Sequence, residues 1–95
     1  MTRIAAFVPD LMDRSRFGAT VTFVTLAELP AVTDDLVLID LRKREVLDAL
    51  PSGAGRVIGF APHVDDDLLQ AAVEAGCDEA LPRSVFFRRL ADLLA

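Results

Sequence analysis

Four short apolar runs divide the chain, at residues 4–8, 21–25, 36–39 and 56–61. Three of them are continuous and end at a proline or an aspartate. Such runs are typical of strands in a parallel sheet that is covered on both faces. In residues 21–25 threonines alternate with apolar side chains, which indicates a strand near a sheet edge. The pattern therefore predicts a sheet that is mainly buried, in which at least one strand lies at an edge and is more polar than the others.

Helical patterns alternate with these strands. Residues 65–76 begin with three aspartates that suit the positive end of a helix, and Gly76 is a suitable residue to end it. In the last segment Ser84 is a candidate N-cap. Shorter helices are predicted at 11–17, 26–32 and 44–50, and a brief strand at 79–81. Each of the two longer helices has apolar residues at a spacing that places them on one face. In residues 65–76 they are Leu68, Leu69, Ala72, Val73 and Ala75, and in the last segment they are Phe86, Phe87, Leu90, Leu93 and Leu94.

The strict alternation of strand and helix predicts an α/β fold, because parallel strands need crossover connections and these are right-handed. We expect a three-layer α/β/α sandwich around a small, doubly wound, five-stranded parallel sheet, with residues 1–95 forming a single domain. Ligands of such sheets bind beyond the carboxyl ends of the strands. The polar residues predicted at those ends are Asp10, Asp40, His63 and Arg83.

Composition and charge indicate a folded protein and exclude some classes of binding partner. Of the 95 residues, 53% are hydrophobic and 26% are charged, which favours a packed core over a disordered chain. The net charge of −5 and the scattered arginines argue against a nucleic-acid surface. The apolar runs are too short to cross a bilayer. We therefore expect a cytoplasmic protein that binds neither nucleic acid nor membrane.

The chain has one cysteine and one histidine, and these counts exclude several kinds of catalytic and metal site. Cys77 is the only cysteine, so an intrachain disulfide and a thiolate metal cluster are impossible. His63 is the only histidine, which excludes a multi-histidine zinc site and leaves one candidate for a catalytic triad. We predict that the protein is not an enzyme and holds no cofactor.

Four stretches, in order, resemble the response-regulator receiver domain of two-component signalling, the CheY-like version of the flavodoxin-like fold. They are residues 37–41, which read Val-Leu-Ile-Asp-Leu, and residues 57–61, 72–81 and 87–94. The resemblance covers nearly the whole chain. It implies the strand order 2-1-3-4-5 and places Asp40 at the phospho-acceptor position.

The residues that the receiver reaction needs are mostly replaced. Phosphoryl transfer to an aspartate requires charge neutralisation by a divalent ion, a lysine and a hydroxyl. The acidic pair of the family reads Pro9-Asp10 here, and its hydroxyl residue falls on Ala61. Its lysine falls on Arg83, which keeps the charge but has another shape. The resemblance is therefore to a degenerate receiver, or pseudo-receiver.

Three functions follow as expectations. The first is a non-catalytic signalling module that binds a protein partner, a second copy of the chain included, through the last two helices and the fifth strand. The second is a phosphorylatable receiver in which Asp40 is the acceptor and Mg²⁺ lies between Asp10 and Asp40. The third is a small anion or ligand held in the strand-end crevice of Asp10, Ala61, His63 and Arg83.

Structural roles are the alternative for each of these residues. Asp40 can cap the following helix or pair with Arg83, and Arg83 can pair with Asp40 or Asp10. His63 can be a hydrogen-bonded loop residue, and Cys77 a small buried apolar side chain. Asp13, with Arg14 and Arg16, is expected on a solvated surface.

Overall fold

A five-stranded parallel sheet forms the centre of the computed structural model, which describes residues 2–62 and 65–95. The strands lie in the order β2-β1-β3-β4-β5, as the resemblance implies, and every neighbouring pair is parallel. The predicted fold class, strand order and CheY-like topology are therefore confirmed. The strands are β1 (Ile4–Phe7), β2 (Thr22–Phe23), β3 (Leu36–Asp40), β4 (Arg56–Ala61) and β5 (Glu79–Pro82).

Among the described residues, four helices connect consecutive strands and a fifth follows β5. Three are α-helices: α1 (Leu11–Arg14), α2 (Asp66–Ala75) and α3 (Arg83–Leu93). Two more connections are 3₁₀ helices, at Leu29–Ala31 and Arg44–Ala49. The predicted helices at 11–17, 26–32 and 44–50 are thus shorter or more tightly wound than their apolar spacing indicated. No described helix is long and apolar enough to span a membrane.

Apolar side chains cover both faces of the sheet and make two cores. One contains Phe17 and joins the sheet to α3, and the other joins the sheet to the second 3₁₀ helix and α2. All five residues of β3 are buried, which agrees with its continuous apolar pattern. The two cores, in that order, include Ile4, Ala6, Leu38, Ile58, Phe60, Phe86 and Leu90, then Val37, Ile39, Leu41, Val46, Val57, Leu68 and Ala72.

The α2 and α3 helices differ in detail from their predicted patterns. Asp65 caps α2 by accepting a hydrogen bond from the Leu68 N–H, and Gly76 ends the helix at a φ of 134°, a region that favours glycine. Val73, which was predicted to face the core, is 49% exposed. Ser84 lies inside α3 and does not cap it, because the helix begins one residue earlier, at Arg83.

The register of the sheet aligns the ends of four strands, β1, β3, β4 and β5. Phe7 of β1 pairs with Ile39, Asp40 pairs with Phe60, and Ala61 pairs with Pro82. The residues that follow β1, β3 and β5 therefore reach the same edge. Any site that uses Asp10, Asp40 and Arg83 must lie there.

Candidate functional site

The start of α1 brings two aspartates to the edge of the sheet. Asp10 is the N-cap, and its Oδ1 accepts hydrogen bonds from the N–H groups of Met12 (2.8 Å) and Asp13 (3.2 Å). This cap orients the first turn so that Asp13 faces inward, where it is 5% exposed. The expectation that Asp13 lies on a solvated surface was wrong, because the cap turns its carboxylate toward the strand ends.

Asp40 ends β3 and is 2% exposed. Its Oδ1 accepts a hydrogen bond of 2.8 Å from the Arg42 N–H, whereas its Oδ2 is buried without a hydrogen-bond partner among the described residues. Burial raises the pKa of this carboxyl group, although the Arg42 N–H and the Arg42 charge oppose the shift. Asp40 does not cap the following 3₁₀ helix, whose N-cap is Lys43.

Arg83 forms a bidentate pair with Asp13. Its Nη1 donates to Oδ2 over 2.6 Å, and its Nη2 donates to Oδ1. The hydrogen bonds from Arg83 lower the pKa of Asp13 despite its burial. The expected structural partners of Arg83 were Asp40 or Asp10. That expectation was wrong, because the inward-facing Asp13 offers the guanidinium both of its carboxylate oxygens.

Arg42 extends a guanidinium among three carboxylates. Its Nη1 lies 3.7 Å from Oδ2 of Asp10, and its Nη2 lies 3.7 Å from Oδ2 of Asp13 and 3.9 Å from Oδ2 of Asp40. Its side chain is 47% exposed, so it approaches from the solvent side. The three acids and the two guanidinium groups of Arg42 and Arg83 form one polar cluster, which we call the strand-end cluster.

The strand-end cluster does not fit a divalent cation. Mg²⁺ requires oxygen ligands at about 2.1 Å in octahedral geometry, whereas here Arg42 faces all three carboxylates and Asp13 is already paired with Arg83. Among residues 2–62 and 65–95 no group of three His, Cys, Asp or Glu side chains is arranged to hold a metal ion. Ala61 is buried at the end of β4 and has a methyl group at the position where the receiver resemblance implies a hydroxyl.

An arginine-lined groove of about 680 Å³ lies beside the cluster. Its floor is Phe87, with the guanidinium carbon of Arg16 3.8 Å and that of Arg83 4.7 Å from the ring centroid. Ser84 and Arg88 complete the wall on α3. The groove carries positive charge on a chain whose net charge is −5.

The structure brings together three of the predicted site residues, Asp10, Asp40 and Arg83, although Arg83 reaches the other two only through Asp13 and Arg42. Ala61 lies at the same edge, and His63 lies outside the described residues. Sequence reasoning missed Asp13 and Arg42. A spacing of three residues after a capping aspartate was the available signal for Asp13. For Arg42 the sequence contained no signal other than its position two residues after Asp40.

Cys77 is buried, as expected, and is not part of this edge. Burial raises the pKa of its thiol to about 11, so the thiol stays protonated and unreactive at neutral pH. This agrees with a packing role.

Comparison with known proteins shows the fold. No protein-family model and no curated protein sequence matches the chain. Two similar solved structures are CpaE pilus assembly proteins. One, from Caulobacter crescentus, has a TM-score of 0.65 at 16% identity over 98% of this chain and 99% of that one. The other, assigned as CpaE2 from Sinorhizobium meliloti, has a TM-score of 0.62 at 19% identity over 93% and 96%.

Proposed function

We propose that this chain is a non-catalytic, cytoplasmic pseudo-receiver that acts by binding a protein partner and is not phosphorylated. The observation that carries the proposal is the position of Arg42. Its guanidinium lies within 3.9 Å of all three carboxylates at the strand ends. A permanent cation from the chain itself thus supplies the charge that a receiver obtains from a metal ion.

A protein-binding role is supported by the face formed by α2, β5 and α3. β5 is an edge strand, hydrogen-bonded to β4 alone among the strands of the sheet, so its outer edge can accept another chain. Val73 exposes an apolar side chain on α2. The arginine-lined groove at the start of α3 favours acidic residues in the partner. The similar CpaE structures are pilus assembly proteins, which is consistent with a receiver-like fold that serves a protein assembly.

Phosphorylation is tested by intact-protein mass spectrometry of an acid-quenched sample after incubation with acetyl phosphate and Mg²⁺. We expect no phosphoryl adduct on the wild type, while a phosphorylatable receiver treated in parallel gains one. An adduct on the wild type that is absent from Asp40→Asn would overturn the proposal and establish Asp40 as an acceptor.

Partner binding is tested first with a second copy of the chain. Sedimentation velocity over a concentration series should show a dimer, and Val73→Glu should dissociate it. Met12→Glu is the matched control, because Met12 is 82% exposed on α1, outside the proposed face. A wild type that stays monomeric, or a dimer that Val73→Glu leaves intact, would exclude self-association through this face.

A further inference from the structure

A separate cavity lies at the topological switch point of the sheet, where the order of the strands reverses. β1 and β3 are neighbours, yet the chain leaves β1 toward β2 on one side and leaves β3 toward β4 on the other. Ligands of open parallel sheets bind beyond the carboxyl ends of such a pair. The cavity, which we call the β1–β3 cavity, has a volume of about 310 Å³ and is lined by residues that follow or end β1, β2 and β3.

Its walls are mainly apolar. Phe7 ends β1, Pro9 follows it, and Leu26 approaches from the chain after β2. Leu26 is 37% exposed, although it is a large apolar side chain. Covering this surface with a ligand would remove apolar area from water, which stabilises the complex.

One strong hydrogen-bond acceptor belongs to the same cavity. Asp40 contributes to its wall, and Oδ2 of Asp40 is the buried side-chain oxygen without a hydrogen-bond partner in the described part of the chain. Arg42 Nη2 lies 3.9 Å from this oxygen, too far for a hydrogen bond. Leaving a buried carboxylate oxygen without a hydrogen bond is costly, and such an atom in a folded protein calls for a donor. A ligand group with an N–H or O–H would supply it.

One cation of the cavity lining favours an anionic substituent on that ligand. Arg42 and Lys43 line the cavity together with Asp40 and Glu45, so it holds two cations and two anions. Arg42 faces the strand-end carboxylates, whereas Lys43 makes no ion pair with any other described residue. Lys43 is therefore the cation that remains for a ligand carboxylate.

We propose that the β1–β3 cavity binds a small cyclic or aromatic molecule that carries one N–H or O–H donor for Asp40 and one carboxylate for Lys43. The apolar walls hold its ring, and the volume suits about one bicyclic ring system. The proposal is independent of a protein partner on the α2–β5–α3 face, because β5 lies at the opposite edge of the sheet from β2.

The test uses two probes of the same shape, indole-2-carboxylate and benzofuran-2-carboxylate, which differ in having an N–H donor or a ring oxygen. Each is titrated into the isotope-labelled protein, and amide shifts are followed by NMR. We expect indole-2-carboxylate to shift the amides of Phe7, Leu26 and Asp40 with a dissociation constant on the order of 1 mM. Benzofuran-2-carboxylate should bind about tenfold more weakly, because its oxygen faces a carboxylate oxygen.

Variants separate the contributions. Asp40→Asn keeps the shape but presents an amide donor, so the preference between the two probes should disappear or reverse. Leu26→Trp fills the cavity and should abolish binding, whereas Leu11→Trp, at a position 75% exposed outside the cavity lining, should leave it unchanged. Equal affinity of the wild type for both probes, or no shift at these amides while the spectrum remains that of a folded chain, would overturn the proposal.

Discussion

Asp13 and Arg83 are 70 residues apart in the sequence and form a part-buried, bidentate ion pair. The pair joins α1 to the junction of β5 and α3. Planar guanidinium and carboxylate groups match in this geometry, which adds direction as well as charge. Arg83, which the receiver resemblance places at the lysine position, thus makes a structural contact.

Asp13→Asn should lower the free energy of unfolding by about 1 to 3 kcal/mol, because the part-buried Arg83 would lose its charged hydrogen-bond partner. Since Arg83 holds the pKa of Asp13 below its usual value, this stabilisation is present above about pH 4 and is lost as the pH falls through the lowered pKa. Urea unfolding between neutral and acid pH measures the difference between the two proteins.

Arg83→Lys is the companion variant. It keeps the charge and loses the two-pronged contact, so it should be less destabilising than Arg83→Met, and the double-mutant cycle with Asp13→Asn should give a coupling energy above 1 kcal/mol. Arg88→Lys, on the exposed part of α3, is the matched control and should have little effect. A coupling energy near zero would contradict the contact.

Asp40→Asn should stabilise the protein by about 1 kcal/mol at neutral pH. Burial raises the pKa of Asp40, so its ionised form costs stability above its usual pKa. The gain should shrink as the pH falls, because the native carboxyl group takes up its proton first and the penalty then vanishes below the usual value of 3.8. Thermal unfolding of both proteins across this range checks the sign.

Asp48→Asn serves as the control for that measurement. Asp48 is exposed in the second 3₁₀ helix, so it tests whether removing any carboxylate from an acidic chain gives the same gain. Equal stabilisation by the two variants would assign the effect to net charge and not to the burial of Asp40.

Gly59→Ala should destabilise the fold by about 1 to 3 kcal/mol through overpacking. A Cβ at this position would lie 2.7 Å from Cδ1 of Leu41, whose side chain is fully buried and has little room to move. The second substitution Leu41→Ala should restore part of the loss in Gly59→Ala, although it is destabilising alone. Gly53→Ala, whose Cβ would meet only Thr33 at 3.6 Å, should be nearly neutral in the same unfolding assay.

Arg42→Ala should create an affinity for divalent cations that the wild type lacks. Without the guanidinium, Asp10 and Asp40 lose their neighbouring cation while Asp13 stays paired with Arg83, and Mg²⁺ or Mn²⁺ can supply the missing charge to these two carboxylates. At ten times its dissociation constant, the ion would stabilise the variant by about 1.4 kcal/mol. Thermal unfolding with and without the ion measures this.

Arg44→Ala, which removes an exposed arginine two residues away, should respond to Mg²⁺ as the wild type does. If Mg²⁺ stabilised the wild type as strongly as Arg42→Ala, Arg42 would not be the cation that replaces the metal.

The fold was largely predictable because its signals are local. Continuous apolar runs such as 36–39 are typical of strands in a sheet that is covered on both faces. The alternation of these strands with helices indicates that they are parallel. The acidic start and glycine end of α2 also act within a few residues. Short helices were less predictable, because runs as short as 11–14 and 44–49 are not stabilised by intrinsic propensity alone.

The site was predictable in part, for the same reason. Asp10, Asp40 and Arg83 were expected at one edge because parallel strands carry their carboxyl ends there, and the register of the sheet confirms this. The pairing of each carboxylate with a guanidinium group depends on the directions of side chains that lie many residues apart in the sequence. The capped first turn of α1 turns Asp13 inward to Arg83, and the turn after Asp40 brings Arg42 back over three acids. The sequence alone therefore determined the layers, through short-range patterns of apolar and polar residues, and the strand order was implied by the receiver resemblance. Only the tertiary structure decided the pairing of charges, because that pairing is a property of three-dimensional proximity.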